Sequence, residues 1–182
     1  YWETSGEEGA IWNRFGIAKD WQRQSVLEKL EETAMTAYGI KLFPYRKEKN
    51  HFCGSVWGVW QSGFASAASA SGNSALVKKL LAQQIRVCLI NKTFYEVIDA
   101  DTGKAWRWPG QLWNAAGFIS LVIYGVFGLE YTEEGLSFHP AVPEELRDTS
   151  ITGLPFWKMI LNIRVCGWGT CLREMKLDGQ GC

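Results

Sequence analysis

The residue best suited to chemistry is Glu96. It lies in the stretch Thr93–Leu129, TFYEVIDADTGKAWRWPGQLWNAAGFISLVIYGVFGL, behind Phe94 and Tyr95 and ahead of Trp106, Trp108 and Trp113. A carboxylate serves as a general acid or base. Indole rings offer large apolar faces with one polar handle, which is the surface a sugar ring stacks on. The stretch reads as an acidic loop rimmed by aromatics, turned by Asp101-Thr102-Gly103 and followed by an uncharged helix. That arrangement points to sugar chemistry; the plain alternative is an ordinary loop glutamate. Trp106 and Trp108 flank the loop, and stacking and core packing suit them equally. Gln111, in the first turn of the uncharged helix, can reach the same place. His51 fits either a hydrogen bond to a sugar hydroxyl or a structural role at a helix start. Asp101 reads as a turn residue, Asp99 as a supporting or water-facing acid, and His139 as structural.

Composition narrows the partners. The 182 residues carry 19 basic and 19 acidic side chains, with 47% apolar residues and ten tryptophans. Zero net charge gives no basic field for nucleic acid or an anionic membrane. Ten tryptophans imply a large aromatic core or a sugar-stacking platform. The five cysteines, Cys53, Cys88, Cys166, Cys171 and Cys182, are odd in number and lack metal spacing, against both a disulfide framework and zinc. No cofactor motif is present. Two uncharged runs, His51–Val77 and Trp108–Leu129, raise a membrane question. Their Ser, Gly, Gln and Asn content fits buried helices of a soluble protein instead.

Four helices are expected. The first spans Ser25–Tyr38, with Ser25 and Glu28 as a capping box and Gly39 as its left-handed stop. The second runs from about Val56 to Ser71, rich in alanine and broken at Gly72-Asn73. The third covers about Ala75–Leu89, with Leu76, Leu80, Leu81 and Ile85 on its apolar face, and forms a helical hairpin with the second. The fourth runs from about Gln111 to Phe127 and is expected to be buried all round. Alternating amphipathic and uncharged helices suit a double-layered helical barrel. After Leu129 the pattern changes. Leu136-Ser137-Phe138 reads as a strand, Phe156–Val165 alternates, Leu172–Leu177 reads as another strand, and Asp178-Gly179 is a hairpin turn signal. Pro140 and Pro143 exclude a helix between them.

Three motifs carry a family resemblance: HFCGSVWGVWQSGFASAASASGN (51–73), FYEVIDADTGK with QLWNAAGFISLV, and GLSFHPAVPEEL followed by GLPFWKMILNIRV and MKLDG. In this order they resemble the C-terminal part of the six-hairpin, (α/α)6-barrel glycoside hydrolases of the glucoamylase, glycogen-debranching and α-L-rhamnosidase type. The resemblance covers roughly residues 25–179; Gly58 departs from it, standing where many relatives have Pro. It implies a mainly α fold, the last hairpins of a partial (α/α)6 barrel over residues 1–130, followed by a small antiparallel β-sandwich-like unit over 131–182.

The resemblance further implies hydrolysis of O-glycosidic bonds with inversion. Glu96 matches the family's catalytic base, and Trp57 and Trp60 lie on the side where family sites open, with Trp57 the foremost sugar contact. An inverting pair needs a second carboxyl ~6.5–9.5 Å away. In the family it lies several hairpins upstream, so it is expected before Tyr1, making this chain a fragment inactive alone; Glu3, Glu7 and Glu8 are present but unmarked. A non-catalytic saccharide-binding or interaction module is the rival expectation.

Overall fold

The computed structural model describes residues 17–45, 47–133 and 135–181. Glu3, Glu7, Glu8, Arg46 and Cys182 therefore lie outside the described residues. In chain order the elements are α1 (Asp20–Thr33), β1 (Ser55–Val56), α2 (Gly58–Ala70), α3 (Ser74–Asn91), β2 (Tyr95–Asp99), β3 (Ala105–Pro109) and α4 (Leu112–Ser120). A π-helical turn, Leu121–Val126, extends α4. Then come β4 (Leu129–Thr132), β5 (Gly135–Phe138), β6 (Ser150–Phe156), β7 (Met159–Arg164), β8 (Lys176–Leu177) and β9 (Gln180–Gly181).

This architecture corrects the expected fold. The described residues form four α-helices and four small antiparallel sheets, an α/β mixture with no (α/α)6 barrel, and the likeness to six-hairpin glycosidases is not upheld. The physical reason lies partly in the stretch read as a loop. Tyr95-Glu96-Val97-Ile98-Asp99 and Ala105-Trp106-Arg107-Trp108-Pro109 are dense in β-branched and aromatic side chains, which suit a pleated, half-buried surface. They pair as β2 and β3, with β1 on the other edge of β2. The C-terminal part likewise forms three separate two-stranded ribbons, β4–β5, β6–β7 and β8–β9, rather than a sandwich.

Helix α2 lies at the centre, packed against α1, α3, α4 and the π-helical turn. Its freedom from charge follows from burial on nearly every side: Phe64, Ala65, Ala67 and Ala68 are all at 1% exposure or less. The alanines allow close approach, and Gly125 of the π-helical turn sits directly over Ala65. The buried Gln61 ties the Ile40 backbone to α2, accepting from its N–H at 2.9 Å and donating to its carbonyl at 3.1 Å. The main core joins Leu27 and Leu30 of α1 with Phe64, Leu76, Val77, Leu80, Leu121 and Val126, and reaches Ala141 and Val142 beyond the first ribbon.

Local signals set some boundaries and not others. Asn73 caps α3, its Oδ1 accepting from the Leu76 N–H, and Lys92 closes that helix at φ 62°. Helix α1 begins five residues ahead of Ser25, where Gln22 accepts from the Lys19 N–H. It also stops short of Tyr38, because Met35 bridges Ile40 and the chain folds back there. On α3, Ile85 is exposed while Gln84 and Val87 are buried, so the apolar face is rotated from the expected one. Helix α4 is not buried all round, since Leu112, Trp113 and Ile119 face outward. The alternation over 156–165 resolves into a hairpin turning at Trp157, φ 53°. Of the expected strand 172–177 only Lys176–Leu177 pairs, and Asp178-Gly179 forms its turn with both φ angles positive. Among the described residues no helix is long and apolar enough to cross a membrane.

Candidate functional site

The sheet β1–β2–β3 and the first turns of α2 and α4 converge on one aromatic cluster. His51 stands edge-on to Phe52, Trp57 and Trp108, with ring centroids 4.6, 4.9 and 5.4 Å away. Trp57 meets Trp113 at 5.6 Å, and Trp113 meets Trp60 at 6.4 Å. The edge-to-face arrangement is the one the ring quadrupoles favour. The cluster thus gathers His51, Trp57, Trp60 and Trp108 from the sequence candidates. It also draws in Trp113, which the sequence placed in the same aromatic stretch but gave no site role.

The members differ in what they can touch. Trp57, the foremost sequence candidate for a sugar contact, is 5% exposed and packs with Leu42 and Val97. Phe52 covers it in a stacked arrangement, and its indole N–H donates to the His51 carbonyl at 3.3 Å. Trp108, Trp113 and Phe52 carry the solvent-facing surface, each between 42% and 49% exposed. The Arg107 guanidinium lies 5.4 Å from the Trp108 ring, a cation–π distance. Trp106 is exposed on β3 and has no ring contact with the cluster among the described residues. Gln111 is the N-cap of α4; its side chain makes no cap bond, while its backbone N–H donates to the Phe94 carbonyl.

Glu96 sits on β2, not on a loop. Its neighbours Tyr95 and Val97 pair with Pro109 and Arg107, so Glu96 stands opposite Trp108. Residues opposite each other on neighbouring strands are near enough to interact directly. Glu96 is half-buried, and among the described residues its carboxylate makes no hydrogen bond or ion pair. The Asn114 carboxamide fixes its backbone, Nδ2 donating to the Tyr95 carbonyl at 2.5 Å and the Glu96 carbonyl at 3.1 Å. Three buried polar atoms nearby also lack a partner among the described residues: His51 Nδ1, Trp60 Nε1 and Gln84 Nε2. Gln84 belongs to this region because its Oε1 lies 3.0 Å from where a Cβ on Gly58 would stand, and Asn114 Cγ lies 3.4 Å from the same point. Buried polar groups normally find partners, so the grouping marks unsatisfied polarity beneath the aromatic cluster rather than on its exposed face.

The β2–β3 turn is built by Asp99, not by Asp101. Asp99 is 6% exposed, and its Oδ1 accepts from the N–H groups of Asp101 and Thr102 and from the Thr102 hydroxyl. Lys49 reaches Asp99 at 3.3 Å and the exposed Asp101 at 2.5 Å. Lys49 thereby ties the loop before β1 to the β2–β3 turn. Burial works against ionisation of Asp99, but the Thr102 hydroxyl and N–H, the Lys49 ammonium and the Asp101 N–H outweigh it and hold the carboxyl below its ordinary range. His139 pairs with Glu130 at 3.3 Å in the first ribbon, away from the cluster. Cys166 and Cys171 are free thiols. A shallow depression of about 160 Å3 beside α1, lined by Ser25, Lys29 and Tyr45, contains none of the candidate residues.

Neither a protein-family model nor a curated protein matches the chain. Among solved structures it is similar to the crystal structure of an uncharacterized conserved protein from Thermus thermophilus, with a TM-score of 0.54 at 20% identity. The match covers 65% of this chain and 30% of that one, so the chain spans less than a third of that protein's length. At this identity the likeness is one of fold.

Proposed function

We propose that this chain contributes a saccharide-binding surface and the general base of a glycoside-hydrolysing site, with Glu96 as the base. The observation that carries the reading is the half-buried Glu96 opposite Trp108, beside the solvent-facing rings of Trp108, Trp113 and Phe52. Trp108 and Trp113 present exposed rings for the apolar side of a sugar ring. Glu96 would take a proton from the attacking water as the glycosidic bond breaks on the opposite face. The general acid of such a pair is proposed to come from outside this chain.

The test uses the complete gene product and a panel of 4-nitrophenyl glycosides. Glu96→Gln is expected to lower kcat at least ~100-fold, the usual contribution of a positioned base, while ligand affinity measured by calorimetry holds. Turnover within twofold of the parent would overturn the catalytic part. The exposure of Trp108 and Trp113 favours a second reading, a non-catalytic saccharide-binding surface. In that case Glu96→Gln changes nothing and Trp108→Ala alone loses binding.

A further inference from the structure

We infer that Asn114 is the positioning residue that holds Glu96 in register with the aromatic surface. This rests on the reading of Glu96 as the base. Asn114 is 2% exposed and lies in the first turn of α4, yet its carboxamide makes its bonds outside its own helix. Oδ1 accepts from the Val59 N–H at 2.7 Å. That N–H is one of the orphan donors at the start of α2, where Trp57 supplies no side-chain cap. Nδ2 donates to the carbonyls of Tyr95 and Glu96, the two that flank the Glu96 Cα. The next carbonyl upstream, that of Phe94, accepts from the Gln111 N–H. Three consecutive carbonyls at the start of the strand are thus held by one turn of α4.

Successive carbonyls of a regular strand point in opposite directions. A single donor serving two of them therefore fixes a local departure from the pleat, and the β2–β3 pairing shifts register just beyond, between Val97 and Ile98. The same carboxamide binds the start of α2, which carries Trp60, while the residue before it, Trp113, touches Trp57 and Trp60. One side chain thus links the acid-bearing strand to both helices that carry the aromatic rings. Loss of its donor frees the backbone at Glu96 and leaves the rings largely supported by their own packing. Small displacements of a reacting group cost up to ~100-fold in rate.

The experiment compares Asn114→Ala, Asn114→Asp and Glu96→Gln in the complete gene product, with 4-nitrophenyl glycosides as probes and below each variant's melting transition. Asn114→Asp keeps an acceptor for the Val59 N–H but turns a carboxylate oxygen toward the Tyr95 and Glu96 carbonyls in place of the donor. It thus retains the cap while actively repelling the strand, and the alanine variant removes both contacts without that repulsion. The expected result is a kcat at least ~10-fold lower with KM within about threefold, together with a displaced acidic limb of the pH–rate profile. If Glu96→Gln is inactive while Asn114→Asp keeps the parent kcat and acidic limb, Asn114 is merely structural and the inference falls. If Glu96→Gln retains turnover, the inference falls together with the reading of Glu96.

Discussion

Gly117 of α4 meets Val59 of α2 so closely that a Cβ on Gly117 would stand 2.6 Å from the Val59 Cα. The two helices touch backbone to backbone there, three residues beyond Asn114. This contact sets how far α4 sinks against α2, and so where the Asn114 carboxamide can reach Val59 and β2. The opposing atoms are main chain, so the contact cannot relax by turning a side chain.

Gly117→Ala is therefore expected to destabilise the protein by about 1–3 kcal/mol, the usual cost of overpacking. The gain of up to ~1 kcal/mol from replacing a helical glycine does not offset it. Urea unfolding checks the sign, and a more stable variant would show that α4 shifts freely.

Gly103 offers a second test. It has φ +71°, and a Cβ there would collide with the Tyr38 ring at Cε1. Its carbonyl also accepts from Asn91 Nδ2, so the turn cannot easily move away. Gly103→Ala should cost about 1–2 kcal/mol from the left-handed conformation alone, read as a lowered Tm.

Asp99 makes stability depend on pH. Its folded pKa lies below the ordinary value, so its contribution is fully present above about pH 4, where the unfolded carboxyl ionises. That contribution is lost as pH falls through the folded pKa. Asp99→Asn is expected to flatten the acid limb of a stability–pH curve. The Lys49 pair is partly solvent-exposed, so added salt should weaken its share and leave the bonds to Thr102 largely intact.

Trp108→Ala should weaken saccharide binding roughly tenfold, about 1.4 kcal/mol, as measured by calorimetry with an oligosaccharide. Trp157 provides the comparison: it is 94% exposed at the tip of the β6–β7 hairpin. Trp157→Ala should change stability by no more than about 0.5 kcal/mol and leave that binding unaltered.

Helices α2 and α3 could be read from the chain because alanine density, periodicity and the Gly72-Asn73 break are local signals. The Asp178-Gly179 turn could be read for the same reason. Strands β2 and β3 carry a composition that suits a pleat, in Tyr95, Val97, Ile98, Trp106 and Trp108, but an acidic residue beside a Thr-Gly turn fits a loop as well while the pairing partner is unknown. Asn114 reads as one more polar residue in an uncharged run, and only its contacts with Val59, Tyr95 and Glu96 distinguish it.

The sequence by itself determined the central apolar helix, the hairpin it makes with α3, and the concentration of tryptophan around one acidic stretch. These follow from side-chain type and spacing along a few turns of chain. Tertiary structure alone decided that the helices form no barrel, that Trp57 is buried while Trp108 and Trp113 face outward, and that Lys49 pairs with Asp99. Each of those outcomes depends on strand pairing and on which surfaces close against one another, and such contacts join residues far apart in the chain that no local pattern can match.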